Sequence, residues 1–270
     1  MRVALAQLDV EAGDVPGNVE RAVAAIADAA ADGADLVALP EIFNVGYFAF
    51  DQYERRAEPL GGETLSTVAD AAAEHEVGVL AGSIVEDLAA TAADTAAPVP
   101  ADEGLANTAV FFDRAGERRA VYRKQHLFGY GSAEQDLLTP GERLPTVAFE
   151  GFTVGVTTCY DLRFPELYRR LADAGATLVL VPSAWPYPRV EHWQVLPRAR
   201  AIENQLYLAT TNGSGSFADA TLVGRSTVYD PWGTPLASSG DGPALVTADL
   251  SPERVADVRE AFPALADRRL

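Results

Sequence analysis

Short apolar runs that read as buried strands alternate with longer runs of helical spacing through most of this chain. That alternation is the strongest constraint on what it can fold into. Residues 2–8 alternate like a strand. Residues 18–31 are Ala-rich with apolar side chains at helical spacing, and Gly33 stands as a stop. Residues 35–39 form a short apolar strand that ends at Pro40-Glu41. The pattern predicts a helix over 63–75 and a strand over 77–84. Residues 108–112 and 118–122 flank Asp113-Arg114-Ala115-Gly116 and read as a hairpin. Beyond them come a strand over 152–158, a helix over 165–174 and a buried strand over 177–181. A helix over 192–204 and strands over 206–211 and 221–229 follow. Alternating strands and helices, joined to an antiparallel hairpin and an antiparallel end, predict a mixed-sheet α/β layered domain.

The 270 residues suit one domain, residues 1–270, with a substantial core. Residues 88–103 stand apart: Ala, Thr, Asp and Pro dominate, and almost no large apolar side chain is present. Such a segment has little surface to bury, so we expect a flexible acidic loop inserted between two strands. Residues 1–10 read as a strand rather than a signal peptide, and no apolar run reaches bilayer length. The expectation is a soluble, cytoplasmic protein.

Charge narrows the partners. With 39 acidic and 21 basic residues the formal net charge is −18, which argues against nucleic acid and anionic membranes. The acids are spread along the chain, as on a strongly hydrated surface. Lys124 is the single lysine, and Cys159 the single cysteine. One cysteine forms no internal disulfide and builds no multi-cysteine metal site.

Three residues share one kind of position. Glu41 follows Leu36-Val37-Ala38-Leu39-Pro40, Lys124 follows Val121-Tyr122-Arg123, and Cys159 follows Val154-Gly155-Val156-Thr157-Thr158. Residues at strand carboxyl ends line the ligand crevice of α/β sheets. A cysteine in a tight strand-to-helix turn resembles a nucleophile elbow, and the nearby helix N-terminus is expected to lower its pKa.

The segments around these residues resemble the nitrilase, or carbon–nitrogen hydrolase, superfamily. Leu39-Pro40-Glu41 resembles its glutamate motif, Tyr122-Arg123-Lys124-Gln125-His126-Leu127-Phe128 its lysine motif, and Cys159-Tyr160-Asp161-Leu162-Arg163-Phe164-Pro165-Glu166 its cysteine motif. Glu134, six residues before Pro140-Gly141, falls where many members carry a second glutamate. Trp185-Pro186-Tyr187-Pro188-Arg189, then His192-Trp193 and Ala199-Arg200-Ala201-Ile202-Glu203-Asn204-Gln205, is similar to the ω-amidase branch, whose members cleave the terminal amide of 2-oxo acids.

The resemblance implies a four-layer α-β-β-α sandwich and a homodimer or larger assembly. It implies a small amide substrate and no metal or organic cofactor. Cys159 is the implied nucleophile, Glu41 its acid–base partner and Lys124, with N–H groups near Tyr160, the stabiliser of the oxyanion. Glu134 is expected to hold Lys124 or orient the amide. Arg189 is expected to read a substrate carboxylate, with Arg163 in reserve. Otherwise Arg163 is expected in a buried ion pair. Tyr47 and Trp185 are expected to wall the pocket. His126 and His192 are expected to be structural. Pro197 departs from the expected helix and predicts a kink or a late start there. Two alternatives remain open. One is another superfamily reaction, on deaminated glutathione, a carbamoyl amide or a nitrile. The other is a catalytically idle binding protein.

Crowded carboxylates repel one another and oppose the compact state until salt screens them. We expect a saline cytoplasm, and a melting temperature that rises between low and molar salt. An unchanged melting temperature would contradict this expectation.

Overall fold

The computed structural model describes residues 1–217 and 220–269. Its first sheet holds β1 (Arg2–Gln7), β2 (Leu36–Ala38), β3 (Gly78–Leu80), β4 (Ile84–Asp87), β5 (Leu105–Phe112), β6 (Arg118–Arg123) and, from far along the chain, β15 (Ala244–Asp249). The order is β15-β1-β2-β3-β5-β4, with β6 also paired to β5. The second sheet holds β7 (Thr146–Phe149), β8 (Phe152–Val156), β9 (Leu178–Ser183), β10 (Tyr207–Asn212), β13 (Thr227–Tyr229) and β14 (Pro235–Ser238), in the order β14-β13-β10-β9-β8-β7. A small ribbon pairs β11 (Ser216–Phe217) with β12 (Ala220–Thr221). The helices are α1 (Val15–Ala31), α2 (Tyr53–Arg56), α3 (Glu63–Glu74), α4 (Leu88–Asp94), α5 (Glu134–Leu137), α6 (Pro165–Asp173), α7 (Val190–Asn204) and α8 (Pro252–Ala261).

Strand periodicity builds the layers. Alternate side chains point to opposite faces, and both faces of these strands are buried. Val3, Leu5, Leu36 and Ala38 meet Val154, Val156, Leu178 and Leu180 in a core between the sheets. Their neighbours Ala4, Ala6, Val37 and Leu39 face a second core with α1 and α3. Val179, Val181 and Leu208 face a third, with α6 and α7. Helices, sheet, sheet and helices therefore stack as the expected α-β-β-α sandwich.

Several expected elements differ, each for a local reason. The 77–84 strand is two strands, β3 and β4, because Gly82 turns at φ +40° between them. A Cβ there would sit 1.9 Å from the Pro40 carbonyl oxygen, so only glycine lets this turn press against the segment that carries Glu41. The 221–229 strand is likewise broken, by Gly224 and Arg225 at φ +64° and +52°.

The 88–103 segment, expected as a flexible loop, opens with helix α4. Asp87 caps it by accepting from the Ala90 N–H at 2.9 Å, and buried Thr91 accepts from the Leu60 N–H at 3.0 Å. Alanine-rich sequence needs little burial to be helical once it is capped. Helix α7 starts at Val190, ahead of the expected His192, and runs through Pro197. The late start is therefore overturned: the helix is already under way more than a turn before Pro197, whose missing N–H and ring crowding fall at the Trp193 carbonyl without ending it.

The hairpin that delivers Lys124 is tied down by a buried pair. Arg123 grips Glu86 with two bonds of 2.6 and 2.7 Å, and Thr108 adds a third donor at 2.6 Å. Arg123→Ala leaves a wholly buried carboxylate with one hydroxyl partner. We expect it to cost about 3–5 kcal/mol in urea unfolding; a cost below about 1 kcal/mol would show that Glu86 finds other solvation.

Candidate active site

The functional side chains gather at one end of the sandwich because each follows a strand. Glu41 follows β2, Lys124 follows β6, and Cys159 follows β8. Glu41 also donates its N–H to the Ser183 carbonyl of β9 at 3.3 Å, which pins a residue of the first sheet to the second. The backbone there is strained: Cys159 adopts φ +46° and Ile42 φ +42°, the left-handed region that L side chains avoid.

Lys124 lies between two carboxylates, and all three side chains are out of water. Its Nζ donates to Glu41 Oε1 at 2.9 Å and to Glu134 Oε1 and Oε2 at 2.8 and 3.0 Å. Other donors complete the carboxylates. Asn107 Nδ2 reaches Glu41 Oε1 at 2.8 Å and Glu134 Oε1 at 3.2 Å. The Ala184 N–H donates to Glu41 Oε2 at 2.9 Å. Tyr47 Oη and the Phe128 N–H donate to Glu134 Oε2 at 3.0 and 2.7 Å. Sequence reading missed Asn107 and the Ala184 N–H. An amide in the largely apolar run of β5 was the available signal for Asn107; a backbone donor leaves none.

Cys159 opens a 3-10 turn, Cys159–Arg163, and its thiol neighbours the Glu41 carboxylate and the Ala184 N–H. Asp161 braces that turn against the lysine hairpin. Its carboxylate accepts from the Thr158 N–H at 2.9 Å, Tyr122 Oη at 2.5 Å and the His126 N–H at 3.1 Å. His126 Nδ1 lies 2.8 Å from the same carboxylate, and the ring stacks on Phe164, so His126 is structural as expected.

Burial pushes the Cys159 thiol well above its ordinary range, the Glu41 charge adds to this, and Lys124 opposes it only in part. This reverses the expected lowering: the 3-10 turn stands between the thiol and α6, and desolvation outweighs any dipole. Burial also raises Glu41, against the pull of Lys124. For Lys124, burial acts downward, but Glu134 and Glu41 prevail and hold the ammonium well above ordinary lysine.

Cys159 opens into a cavity of about 230 Å³. Tyr47, Tyr160, Trp185 and Arg189 all line it, as expected, although the Tyr47 hydroxyl is committed to Glu134. Arg163 lines it too and is not in a buried ion pair. Its guanidinium lies 5.0 Å from the Trp185 ring centre and 5.6 Å from that of Tyr160, and it donates to His192 Nδ1 at 3.1 Å. The Arg189 guanidinium lies 5.4 Å from the Phe128 ring centre. Among the described residues neither guanidinium has a carboxylate within 4.0 Å.

A thiol, two carboxylates and an ammonium thus gather beneath a small pocket. Residues 2–260 match the family described as Carbon-nitrogen hydrolase, and the chain belongs to that family. It is 36% identical over 240 residues to a 2-oxoglutaramate amidase of Paenarthrobacter nicotinovorans, covering 87% of this chain and 79% of that protein. It is 34% identical over 279 residues to the omega-amidase NIT2 of Homo sapiens, covering 99% and 95%. Among solved structures it is similar to an amidase from Nesterenkonia sp. AN1, with 29% identity, a TM-score of 0.82 and coverage of 98% and 99%. That structure is of a glutamate-to-glutamine variant in which acrylamide has added to the active site cysteine.

With one cysteine in the chain, its ionisation can be followed alone. A thiol pushed up by burial stays protonated through neutral pH. We expect ultraviolet titration of the native protein to show no thiolate step between about pH 6 and about pH 9, where a free cysteine titrates. A step in that window would contradict the electrostatics described.

Proposed function

We propose that this chain hydrolyses a small carboxylate-bearing amide in the manner of an ω-amidase, turning a 2-oxo acid amide into the 2-oxo acid and ammonia. The observation that carries the reading is the buried Cys159 thiol beside the Glu41 carboxylate, with Lys124 fixed behind it.

Charge accounting supports the order of events. Glu41, Glu134 and Lys124 together hold one net negative charge out of water. Ionising the thiol on its own adds a second, at high cost in a dry site. Passing the thiol proton to Glu41 leaves the total unchanged. Cys159 Sγ then attacks the amide carbon, and the oxyanion is met by Lys124 and backbone N–H groups near Tyr160. Glu41 returns its proton to the departing nitrogen, which leaves as ammonia, and a thioester remains. Water adds to the thioester with Glu41 again taking a proton, and the released thiol takes it back. Side chains and water suffice for each step.

Arg189 and Arg163 favour a substrate with an anionic end, because each presents a guanidinium to the pocket without a carboxylate partner among the described residues. The same proposal includes one hydrolase domain over residues 1–270, a homodimer or larger assembly, and work in a saline cytoplasm. The nearly full-length family match supports the first, the assembly rests on the family resemblance, and the acid-rich, lysine-poor composition supports the last.

Cys159→Ala is expected to end ammonia release from 2-oxoglutaramate while the melting temperature stays near wild type. Turnover within a few-fold of wild type would sink the mechanism. Arg189→Ala is expected to lose about 2–5 kcal/mol in kcat/KM on carboxylate-bearing amides and little on a neutral amide of similar size. Equal losses on both would make Arg189 a structural residue.

A further inference from the structure

Asn107 is wholly buried in the middle of the site, yet the mechanism above assigns it nothing. It touches all three charged members. Its carbonyl accepts the Lys124 N–H at 2.9 Å, which fixes the backbone that carries the ammonium. Its Nδ2 is shared between Glu41 Oε1 at 2.8 Å and Glu134 Oε1 at 3.2 Å. Carboxylates only accept, so the amide has one workable orientation: its NH2 group faces both oxygens, and a flip would set its own oxygen against them.

We propose that Asn107 is a positioning residue that holds the Glu41 and Glu134 carboxylates apart, so that Glu41 is free to take the Cys159 proton. Two carboxylates that converge on one ammonium tend otherwise to share a proton, as like charges in one dry site do. Lys124 alone does not prevent this, since it is bonded to both and leaves a net negative charge. A neutral donor between the two oxygens favours their ionised forms without adding a charge that would compete with Lys124 for the oxyanion. A lysine or arginine in this place would add such a charge, and an aspartate would add a third anion.

The groups that face Glu41 come from every element around it. They are Lys124 after β6, Glu134 on α5, Cys159 after β8 and the Ala184 N–H after β9. Tyr47 bears on the cluster through Glu134. Among the described residues Asn107 is the one uncharged side chain that bonds both carboxylates, which is why its removal is expected to move the titration of Glu41.

The inference rests on the proposed role of Glu41 as base, and the test separates the two. The rate of Cys159 alkylation by iodoacetamide is measured against pH; it needs no turnover, and Cys159 is the only thiol. In wild type the rate is expected to fall on the acid side as Glu41 takes a proton. Asn107→Leu keeps the side-chain size but has no donor, and is expected to move that midpoint up by about one pH unit. Asn107→Ser returns one O–H donor and is expected to move it by less, which keeps the test open if the leucine variant does not fold. Midpoints that coincide with wild type, whatever the loss in rate, would overturn the proposal and leave Asn107 a packing residue. Glu41→Gln is run beside them. If it is alkylated with the wild-type pH dependence, the base is not Glu41, and the mechanism falls rather than the role of Asn107 alone.

Discussion

An ammonium held out of water between two carboxylates is the interaction on which the rest of this structure depends. Isolated, such a triad is costly, because each ion gives up its hydration and three charges do not cancel. It persists here because both carboxylates are well supplied with donors, although the Asn107 Oδ1 is buried without a partner among the described residues. Glu134 accepts from Lys124, Tyr47, the Phe128 N–H and Asn107, and Glu41 accepts from Lys124, Asn107 and the Ala184 N–H. A network satisfied to this degree is stiff, and a network missing one donor is worse than none. The geometry of the site is therefore inseparable from the backbone that supplies those donors.

That backbone comes from both sheets. Glu41, Asn107 and Lys124 arrive from the first sheet, and Cys159 and Ala184 from the second. The Cys159 thiol and the Glu41 carboxylate thus stand on opposite sides of the seam between the sheets. Their registration is set by the inter-sheet core, where Leu36 and Ala38 beneath Glu41 pack with Val154 and Val156 beneath Cys159. A sandwich core is close-packed and resists small displacements. This is how a layer architecture places a thiol beside a carboxylate without using a flexible loop for either. The two bonds from Glu41 into the second sheet, from its N–H to Ser183 and from Ala184 to its carboxylate, close the seam at the point of use.

Much of this was legible along the chain, for a definite reason. Strand periodicity and strand ends are local signals, and the positions of Glu41, Lys124 and Cys159 are defined by them. What was not legible depends on distant contacts. The break at Gly82 exists because Pro40 approaches it from another strand, and no window around residue 82 contains that fact. Asn107 reads as a lone amide in an apolar strand until two glutamates from elsewhere converge on it. The thiol shows the same limit most clearly: a strand-to-turn cysteine suggests a lowered pKa, but its burial and its charged neighbour are set by tertiary structure and reverse the sign. Helix α4 is the opposite case, where a composition poor in large apolar residues hid a cap and two buried contacts.

The charge pattern of the pocket then bears on how a substrate enters, if the proposed chemistry holds. The protein as a whole is strongly acidic, with a formal charge of −18, so an anionic amide meets repulsion at long range. Salt shortens that range to several ångströms and leaves the local field to decide. Locally the field is graded. Arg163 and Arg189 line the partly exposed part of the pocket, and the net negative cluster of Glu41, Glu134 and Lys124 lies beneath Cys159. A substrate with a carboxylate at one end and a neutral amide at the other has one favourable orientation in such a gradient. Reversed, it sets its carboxylate against Glu41 and Glu134 and leaves both guanidiniums unpaired. The same two features therefore select the substrate and aim it: the guanidiniums attract the end that must not react, and the buried cluster rejects it from the thiol.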